Sequence, residues 1–336
     1  MKLKWILVWL IFLSIGCASE LDFPFTENEK KIVTYSVFSP DSLFKVVVRK
    51  TYNILQPNIT KYGAINFKYS DLEDLERPFY DTISNANVEI WNENVLLENL
   101  TKSSARVFRS KKIRTKAGIS YTLKVSVVGF PTVSSSTTIP EKILIQKFVR
   151  DGIIVLPNKK IKSTSLVHFP FQPILTGSIK STRVSNYDTQ YRVIFKDPGE
   201  TENYYRLWLR KLNEIFPIIN GTSNELSDHM ESVIFTDKLF NGSICSIKVL
   251  GCSDYLNKTD TIICELQNLS RELYDFYYQQ YFNTSKEASD SRLNSETGFV
   301  PYVAEPEIAY TNINNGFGIF AAYNTHRDTL FYKADK

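Results

Sequence analysis

Cys17 is the residue whose position most clearly predicts chemistry. Two lysines precede an apolar run over residues 5–13, and Ser14-Ile15-Gly16 lead directly into Cys17. An export signal consists of a charged start, an apolar run and an end made of small residues. The apolar run is too short to span a bilayer by itself. Cleavage before Cys17 would make it the new N-terminal residue, which would carry the lipid. The sequence therefore predicts that Cys17 carries lipid.

The order of these features resembles a bacterial lipobox, with one departure at Ser14, where leucine is commoner. The alternative is a plain secretory signal that is cleaved near Ala18 or Ser19. Each buried methylene contributes about 0.8 kcal/mol, and stable anchoring takes more than one acyl chain, so a lipidated Cys17 would hold the chain on a membrane without a spanning helix. We predict a signal peptide over residues 1–16 and a polar, lipidated tether over residues 17–29.

Residue types that could carry out catalysis are few and scattered. His168, His229 and His326 lie outside any HExxH pattern, and no GxSxG motif occurs. Glu200 and Glu202 flank a loop and are predicted to face solvent instead of forming a glycosidase pair. No cysteine or histidine spacing suits zinc. We predict no enzymatic activity, no cofactor and no metal site, and a surface hydrolase is the less favoured alternative.

The composition indicates a globular β protein. Apolar residues make up 43% of the chain and charged residues 23%, which excludes a disordered polymer. The 19 tyrosines and 22 phenylalanines, with only 13 glycines, suit many short strands. The net charge of +4 is too small to argue for nucleic acid.

Apolar and polar residues alternate along the first half of the chain, which predicts half-buried strands. These strands are expected at Ile32–Phe38, Leu43–Arg49, Asn87–Trp91 and Tyr121–Val128. We predict an all-β protein of two sandwich-like domains. An immunoglobulin-like β-sandwich would occupy residues 30–145, and a larger antiparallel β domain with one or two short helices would occupy residues 146–336.

The second half carries further strand signals and one helix signal. Tyr191–Lys196 and Tyr204–Leu209 are predicted to pair across a loop. The Asn241-Gly242 turn is predicted to continue a meander into the strands that contain the cysteines. Apolar residues recur at helical spacing after Ser270, which can cap a helix there.

Cys245 and Cys264 each lie on the apolar face of a predicted strand. If these two strands pair as a hairpin, both side chains point inward on the same side. They are then either buried thiols or a cross-strand disulfide, since an exported chain can be oxidised. The partner of Cys252, if it has one, is undetermined.

Other residues are candidates for binding or modification. A basic strip could meet anionic lipid or lipopolysaccharide phosphates, although a solvated edge strand protected by charge is the favoured interpretation. The strip consists of Arg109, Lys111, Lys112, Arg114 and Lys116. Candidate ligand-contact aromatics are Trp91, Tyr204, Tyr205 and Trp208. Candidate O-glycosylation sites, in Asp-Ser/Thr-apolar triplets, are Ser42, Thr82, Thr261 and Thr329.

Several short motifs, taken in order, resemble one family of proteins. The most distinctive runs from Ala304-Glu305-Pro306 through Thr311-Asn312-Ile313 to Gly316-Phe317-Gly318-Ile319-Phe320. Thr138-Ile139-Pro140 and Phe235-Thr236-Asp237 also fit. The sequence resembles a family of Bacteroidetes outer-membrane lipoproteins, domain of unknown function 4249, over nearly the whole mature chain.

This resemblance implies a surface-exposed envelope lipoprotein of the outer membrane, of a kind often encoded beside TonB-dependent receptors. By analogy we predict a non-enzymatic accessory or binding component of such an uptake system, with a TonB-dependent receptor as partner and an unknown ligand. The alternative is a structural or assembly component of the outer envelope that binds no small ligand.

Overall fold

A computed structural model describes most of the chain. The described residues are 30–51, 83, 85–104, 106–155, 174–179, 187–210, 215–216, 218–219, 229–252, 261–280 and 310–331. Within them the structure is all-β, as predicted, apart from a helix, α1, at 271–280. The predictions for the signal peptide, for Cys17, for the tether and for Thr82 lie outside the described residues.

Most of the described strands are short, as the composition predicts. They are β1 (Ile32–Phe38), β2 (Leu43–Lys50), β3 (Asn87–Asn92), β4 (Val95–Asn99), β5 (Thr101–Lys102), β6 (Val107–Arg114), β7 (Ser120–Ser126), β8 (Val133–Thr138), β9 (Ile145–Val155), β10 (Ile174–Ile179), β11 (Tyr187–Lys196), β12 (Tyr204–Arg210), β13 (Ile215–Phe216), β14 (Ile218–Ile219), β15 (His229–Thr236), β16 (Ile244–Cys252), β17 (Thr261–Leu269) and β18 (Phe317–Phe331).

Fourteen of these strands form one sheet and four form a second. The main order of the large sheet is β5-β6-β2-β1-β18-β17-β12-β15-β14-β16-β11-β9, with β10 beside β15 and β13 beside β12. The small sheet has the order β4-β3-β7-β8. Among the described strand pairs β1 and β18 are parallel, and the others are antiparallel.

A first core lies between the small sheet and the β6-β2-β1-β18 part of the large sheet. Alternate residues of β1, β2, β3 and β7 are buried there, as the period of two requires. Phe38, Phe44, Tyr121 and Phe320 form an aromatic cluster with ring centroids 4.8–6.4 Å apart. The arrangement is sandwich-like, and the finer assignment to the immunoglobulin type stays a prediction.

A second core lies on one face of the other strands of the large sheet. Its largest buried side chains, Tyr191, Phe195, Tyr205 and Phe235, come from β11, β12 and β15. The backbone N–H of Ile145, at the start of β9, donates to Nδ1 of His326 on β18 at 3.1 Å. The sheet therefore curves until its last strand meets β18.

Strand β18 contributes to both cores, because it is 15 residues long. Phe320 and Ala322 pack in the first core, and Leu330 packs against the second. A sheet that continues through β18 joins the two predicted domains. The division at residues 145 and 146 stays a prediction.

Two predicted pairings are wrong. β11 pairs with β9 and β16, whereas β12 pairs with β13, β15 and β17. β15 and β16 are separated by β14, so the Asn241-Gly242 turn closes no hairpin. The alternation of apolar and polar residues predicts which face of each strand is buried. It does not predict which strand is its neighbour in the sheet.

The segment from Asn312 to Gly318 joins β18 to its surroundings. The Asn312 side chain accepts from the backbone N–H of Phe320 at 3.0 Å and donates to its carbonyl oxygen at 2.7 Å, as a neighbouring strand would. Asn314 forms a backbone bridge with Ser134 of the small sheet. The motif that carried the family resemblance thus links the two sheets.

Helix α1 begins where the sequence predicts. The Ser270 hydroxyl accepts from the backbone N–H of Leu273 at 3.4 Å, which satisfies one of the first N–H groups of the helix. Leu273 is fully buried against Tyr204, Leu269 and Ile319. The aromatic stripe of α1 therefore packs on the large sheet. Among the described residues, no helix is both long enough and apolar enough to cross a membrane.

The surroundings of His326 make stability depend on pH. Burial, and then the charge of Lys142, lower the pKa of His326 below its ordinary value of 6.5. The unfolded chain therefore binds this proton more readily, so the free energy of unfolding falls as pH drops through about 6.5 toward the native pKa. Protonation also converts the Nδ1 acceptor into a donor.

We expect His326→Asn, whose side-chain oxygen can still accept from Ile145, to lack this component of the pH dependence. Urea midpoints of both proteins, measured at about pH 7.5 and about pH 5.5, check it. Wild type should lose more stability than the variant between the two. Equal losses would show that His326 does not titrate in this window.

Candidate ligand-binding face on β12, β17 and β18

A half-buried polar face lies on three neighbouring strands, opposite the second core. Leu207, Leu209 and Leu266 point into that core, so the residues between them on the same strands point to the other side. We call this surface the arginine face. It consists of Arg206, Trp208 and Arg210 on β12, Glu265 and Gln267 on β17, and Thr325 and Arg327 on β18.

The strand register places these side chains in rows. Trp208 lies beside Glu265, which lies beside Arg327. The next row has Arg206 beside Gln267. Directly paired residues of neighbouring strands have side chains within reach of one another, so the face is a continuous surface held by a rigid ladder.

Arg206 is the most constrained residue of the face. Its guanidinium carbon lies 4.5 Å from the centre of the Trp208 ring and 4.7 Å from that of Tyr277 on α1. Its Nε donates to the Ser232 hydroxyl at 3.0 Å, and its Nη1 donates to the Tyr277 hydroxyl at 3.2 Å. Two aromatic rings and two neutral oxygens hold this cation, so its charge is fixed in place without being neutralised.

Glu265 is the carboxylate of the face and is only 2% exposed. Its Oε2 lies 2.8 Å from Nε of Arg327 and 3.4 Å from Nη2 of Arg210, and its Oε1 accepts from Gln267 at 3.0 Å. Both oxygens are thus occupied by donors. A carboxylate held in this way is poorly placed to act as a general base.

The charges of the face do not balance. Arg206, Arg210 and Arg327 bring three positive charges, and Glu265 brings one negative charge. Nε1 of Trp208 and Nε of Arg210 are buried donors without a hydrogen-bond partner among the described residues. A buried donor left unpaired costs about 1–3 kcal/mol, so the face favours a molecule that brings oxygen acceptors and negative charge.

The four predicted contact aromatics are separated by the fold. Tyr205 is fully buried in the second core, and Tyr204 packs under α1 against Tyr274. Trp91 lies on the small sheet, where Nζ of Lys124 sits 4.1 Å above its ring. Of the four, Trp208 is the one on the arginine face. Arg206, Trp208 and Arg210 occupy every second residue of β12, and this pattern was the signal that would have found the site.

Cys245 and Cys264 are free, buried thiols, and the hairpin that would have paired them does not form. Cys245 lies on β16 and Cys264 on β17, and these strands have different neighbours. Burial, and then the charge of Asp197, raise the pKa of Cys245 to about 12, which makes it a poor nucleophile. The side chain of Cys252 lies outside the described residues.

The basic strip on β6 surrounds an internal carboxylate. Glu98 of β4 accepts from the Ser110 hydroxyl at 2.6 Å and from the backbone N–H groups of Lys111 at 2.8 Å and Ile113 at 3.2 Å. Burial opposes the charge, but these hydrogen bonds outweigh it and hold the pKa of Glu98 below its ordinary value. The donors to Glu98 are a hydroxyl and backbone N–H groups, so the exposed lysine side chains of the strip take no part in these hydrogen bonds.

The candidate glycosylation residues have different surroundings. The Ser42 hydroxyl is half-buried and donates to the Ser39 carbonyl oxygen at 2.6 Å. Thr261 is half-buried at the start of β17, and Thr329 is exposed on β18. Their modification stays a prediction.

A buried polar cluster around Asp197 was missed by sequence analysis. The backbone ladders of β11–β16 and β12–β15 each continue by one bond, from the Asp197 N–H to the Ser243 carbonyl and from the Asp237 N–H to the Asn203 carbonyl. The connections 197–203 and 237–243 therefore lie side by side. A Cβ on Gly199 would come within 2.5 Å of the Gly242 Cα atom, so the two loops touch through glycines.

The Asp197 carboxylate joins these two loops. Its Oδ2 accepts from the N–H groups of Gly199 at 3.1 Å and of Gly242 at 2.7 Å, and its Oδ1 accepts from the Tyr205 hydroxyl at 2.5 Å. Asp237 accepts from the backbone of Asn203 at 2.7 Å. Burial raises the pKa of Asp237, and the nearby Asp197 adds to this. The cluster is a structural clamp, since its oxygens are used by internal donors.

The described residues contain no group of three or more histidines, cysteines and carboxylates that would suit a metal ion. A family model matches residues 18–329 of the chain. No curated protein and no solved structure is significantly similar to the chain. Because the family model covers most of its length, the chain belongs to the family with a domain of unknown function, DUF4249.

Proposed function

We propose that the protein is a non-enzymatic binding component of the bacterial outer membrane, anchored by lipid on Cys17 and accessory to a TonB-dependent receptor. The observation that carries the proposal is the arginine face, where a rigid sheet holds three guanidinium groups and one carboxylate, and the carboxylate contacts only two of the three. Such a face suits capture of a ligand that carries oxygen acceptors and negative charge.

Binding is favoured over catalysis by the chemistry of the face. Arginine, tryptophan and glutamine side chains offer donors, and arginine does not exchange its proton near neutral pH. The carboxylate of Glu265 is held between two arginines. A hydrolase would need a free general base or an activated nucleophile beside the ligand, and the face supplies neither.

The membrane anchor is supported by the export-signal order that ends at Cys17, and the polar residues 17–29 would serve as a tether. The partnership with a TonB-dependent receptor, and a position on the cell surface, are proposed from the family resemblance. The rival proposal, a structural component of the envelope without a small ligand, predicts the same anchor and no bound ligand.

Purification of the tagged protein from cross-linked native membranes tests the partnership. We expect a TonB-dependent receptor to be recovered with the wild-type protein and with Arg206→Gln alike, because the receptor contact does not require the ligand face. Recovery of envelope-assembly proteins without a receptor would favour the structural alternative. The proposal of a lipid anchor would be contradicted if a palmitate analogue failed to label the wild-type protein and the protein appeared in the culture fluid.

Arg206→Gln tests the ligand face directly. Inorganic phosphate and citrate serve as oxyanion probes, and the fluorescence of Trp208 reports their binding. A hydrogen bond to a charged group contributes about 1.5–3 kcal/mol, so we expect the variant to bind the better probe about tenfold to hundredfold more weakly. Arg109→Gln, on the exposed strip of β6, is the matched control and should leave the affinity unchanged. Equal affinities for wild type and Arg206→Gln would contradict the assignment.

A further inference from the structure

A second surface, which we call the lysine face, lies on the outer side of β9, β11 and β16. Phe148, Phe195 and Ile247 of these strands point into the second core, so their neighbours along each strand point outward. The register sets these neighbours side by side. The pairs are Lys147 with Ile194, Ile194 with Ser246, Val149 with Arg192, Arg192 with Lys248, and Lys196 with Ile244.

The positive charge of this face is largely uncompensated. Arg192 forms an ion pair with Asp151. Oδ2 of Asp151 lies 2.6 Å from Nη2 of Arg192 and 2.7 Å from Nε of Arg192. Lys147, Lys196 and Lys248 are exposed, and none of them forms an ion pair in the part of the chain that the structure describes. Three lysines therefore present their charge to the surroundings from adjacent strands.

Exposed aliphatic side chains lie at one end of the same face. Ile244, which begins β16, is 65% exposed, and Leu144, directly before β9, is 57% exposed. Lys196 ends β11 at this same edge and pairs with Ile244. Two exposed aliphatic side chains therefore lie at the end of the face that Lys196 occupies.

The composition of the face distinguishes between lipid and protein as its partner. Protein interfaces are depleted in lysine and enriched in aromatic residues and arginine, which supply the energetic anchors. The lysine face has the opposite composition, because its exposed side chains are mainly lysine and aliphatic. Lysine ammonium groups with interspersed aliphatic side chains suit a plane of anionic headgroups above hydrocarbon.

We propose that the lysine face rests on an anionic lipid surface. Lys147, Lys196 and Lys248 meet headgroup phosphates, and Ile244 and Leu144 enter the boundary between headgroups and acyl chains. The inference goes beyond the proposed function and does not depend on Cys17, because an unacylated chain would still carry the face.

Vesicle flotation of residues 18–336, which lack the predicted signal peptide and Cys17 and therefore cannot be acylated there, tests the proposal. We expect binding to vesicles of phosphatidylcholine mixed with phosphatidylglycerol, little binding to pure phosphatidylcholine, and release by salt. The triple variant Lys147→Gln, Lys196→Gln, Lys248→Gln should bind at least tenfold more weakly, since one lysine near an anionic surface changes partitioning about fivefold. Ile244→Ser should weaken binding with little effect on its salt dependence.

The basic strip of β6 supplies a matched control. Lys111→Gln, Lys112→Gln and Lys116→Gln remove the same charge from exposed positions and should leave most of the vesicle binding intact. If this control loses as much as the lysine-face variant, net charge and not the face drives binding. Equal binding of the unacylated chain to neutral and anionic vesicles would also overturn the proposal.

Acetylation of lysines by a membrane-impermeant reagent gives a second measurement on the acylated, full protein in the same vesicles. We expect Lys147, Lys196 and Lys248 to be protected in anionic vesicles and to react in detergent, while Lys111 and Lys112 react in both. Equal reactivity of all five lysines in vesicles would overturn the proposal. Protection that appears only when a receptor is present would do the same, because it would assign the face to a protein partner.

Discussion

Replacing Gly318 with alanine is expected to prevent folding, or to lower the free energy of unfolding by more than about 4 kcal/mol. Gly318 has a φ of +111°, a backbone angle that residues with a side chain rarely adopt. A Cβ there would overlap the carbonyl oxygen of Thr34. Thr34 lies opposite Gly318 in the parallel β1–β18 ladder. The Cβ would thus meet backbone atoms of Thr34, which cannot rotate away as the end of a flexible side chain can.

The neighbours of β1 make relaxation costly. β1 is hydrogen-bonded on its other side to β2, and Thr34 itself is paired there with Val48, which is buried in the first core. Shifting β1 away from Gly318 would therefore break the ladder between β1 and β18 or disturb a packed core. Either outcome separates the C-terminal strand from the first half of the chain.

Gly129→Ala is the matched control for this prediction. Gly129 has a φ of +83°, but a Cβ there would meet nothing within 4 Å. We expect Gly129→Ala to lower the free energy of unfolding by only about 1–2 kcal/mol, because only the left-handed backbone conformation is unfavourable there. Urea unfolding of both variants, with yields of soluble protein, measures the difference. Similar losses for the two variants would contradict the steric argument.

Asp197→Ala is expected to lower the free energy of unfolding by about 2–4 kcal/mol, because several donors lose one acceptor at the same time. Asp197 is fully buried and bonds to Gly199, Gly242 and Tyr205. These bonds hold the connection between β11 and β12 against the connection between β15 and β16. Without the carboxylate, the loops lose their shared partner and the Tyr205 hydroxyl is left unpaired in the core.

Two further variants separate the clamp from its parts. Tyr205→Phe removes one donor and keeps the packing, so about 1 kcal/mol is expected. Glu200→Ala, at an exposed position of the same loop, should change stability by less than about 0.5 kcal/mol. Urea midpoints of Asp197→Ala, Tyr205→Phe and Glu200→Ala rank the three variants by their loss of stability. The clamp would be refuted if Tyr205→Phe were as damaging as Asp197→Ala, or if Asp197→Ala behaved like Glu200→Ala.

Local sequence was sufficient for individual elements. The strand at Ile32–Phe38 agrees at both ends with its prediction, and the helix begins directly after Ser270. Alternation and helical spacing are properties of neighbouring residues, so they record which side chains face a core whatever that core contains. The same reasoning placed Cys245 and Cys264 inward, and both are buried. The family assignment also follows from sequence alone, since order and spacing of short motifs carry it.

Tertiary structure alone decided which strands are neighbours. β11 and β12 follow one another in sequence, yet each pairs with distant strands, and β18 joins β1 to β17. A strand's pattern is equally satisfied beside any partner that buries the same face, so pairing depends on the whole fold. The arginine face and the Asp197 clamp consist of residues brought together by that pairing. The sequence determined the strands and their buried sides, and only the folded chain determined the surfaces that they form together.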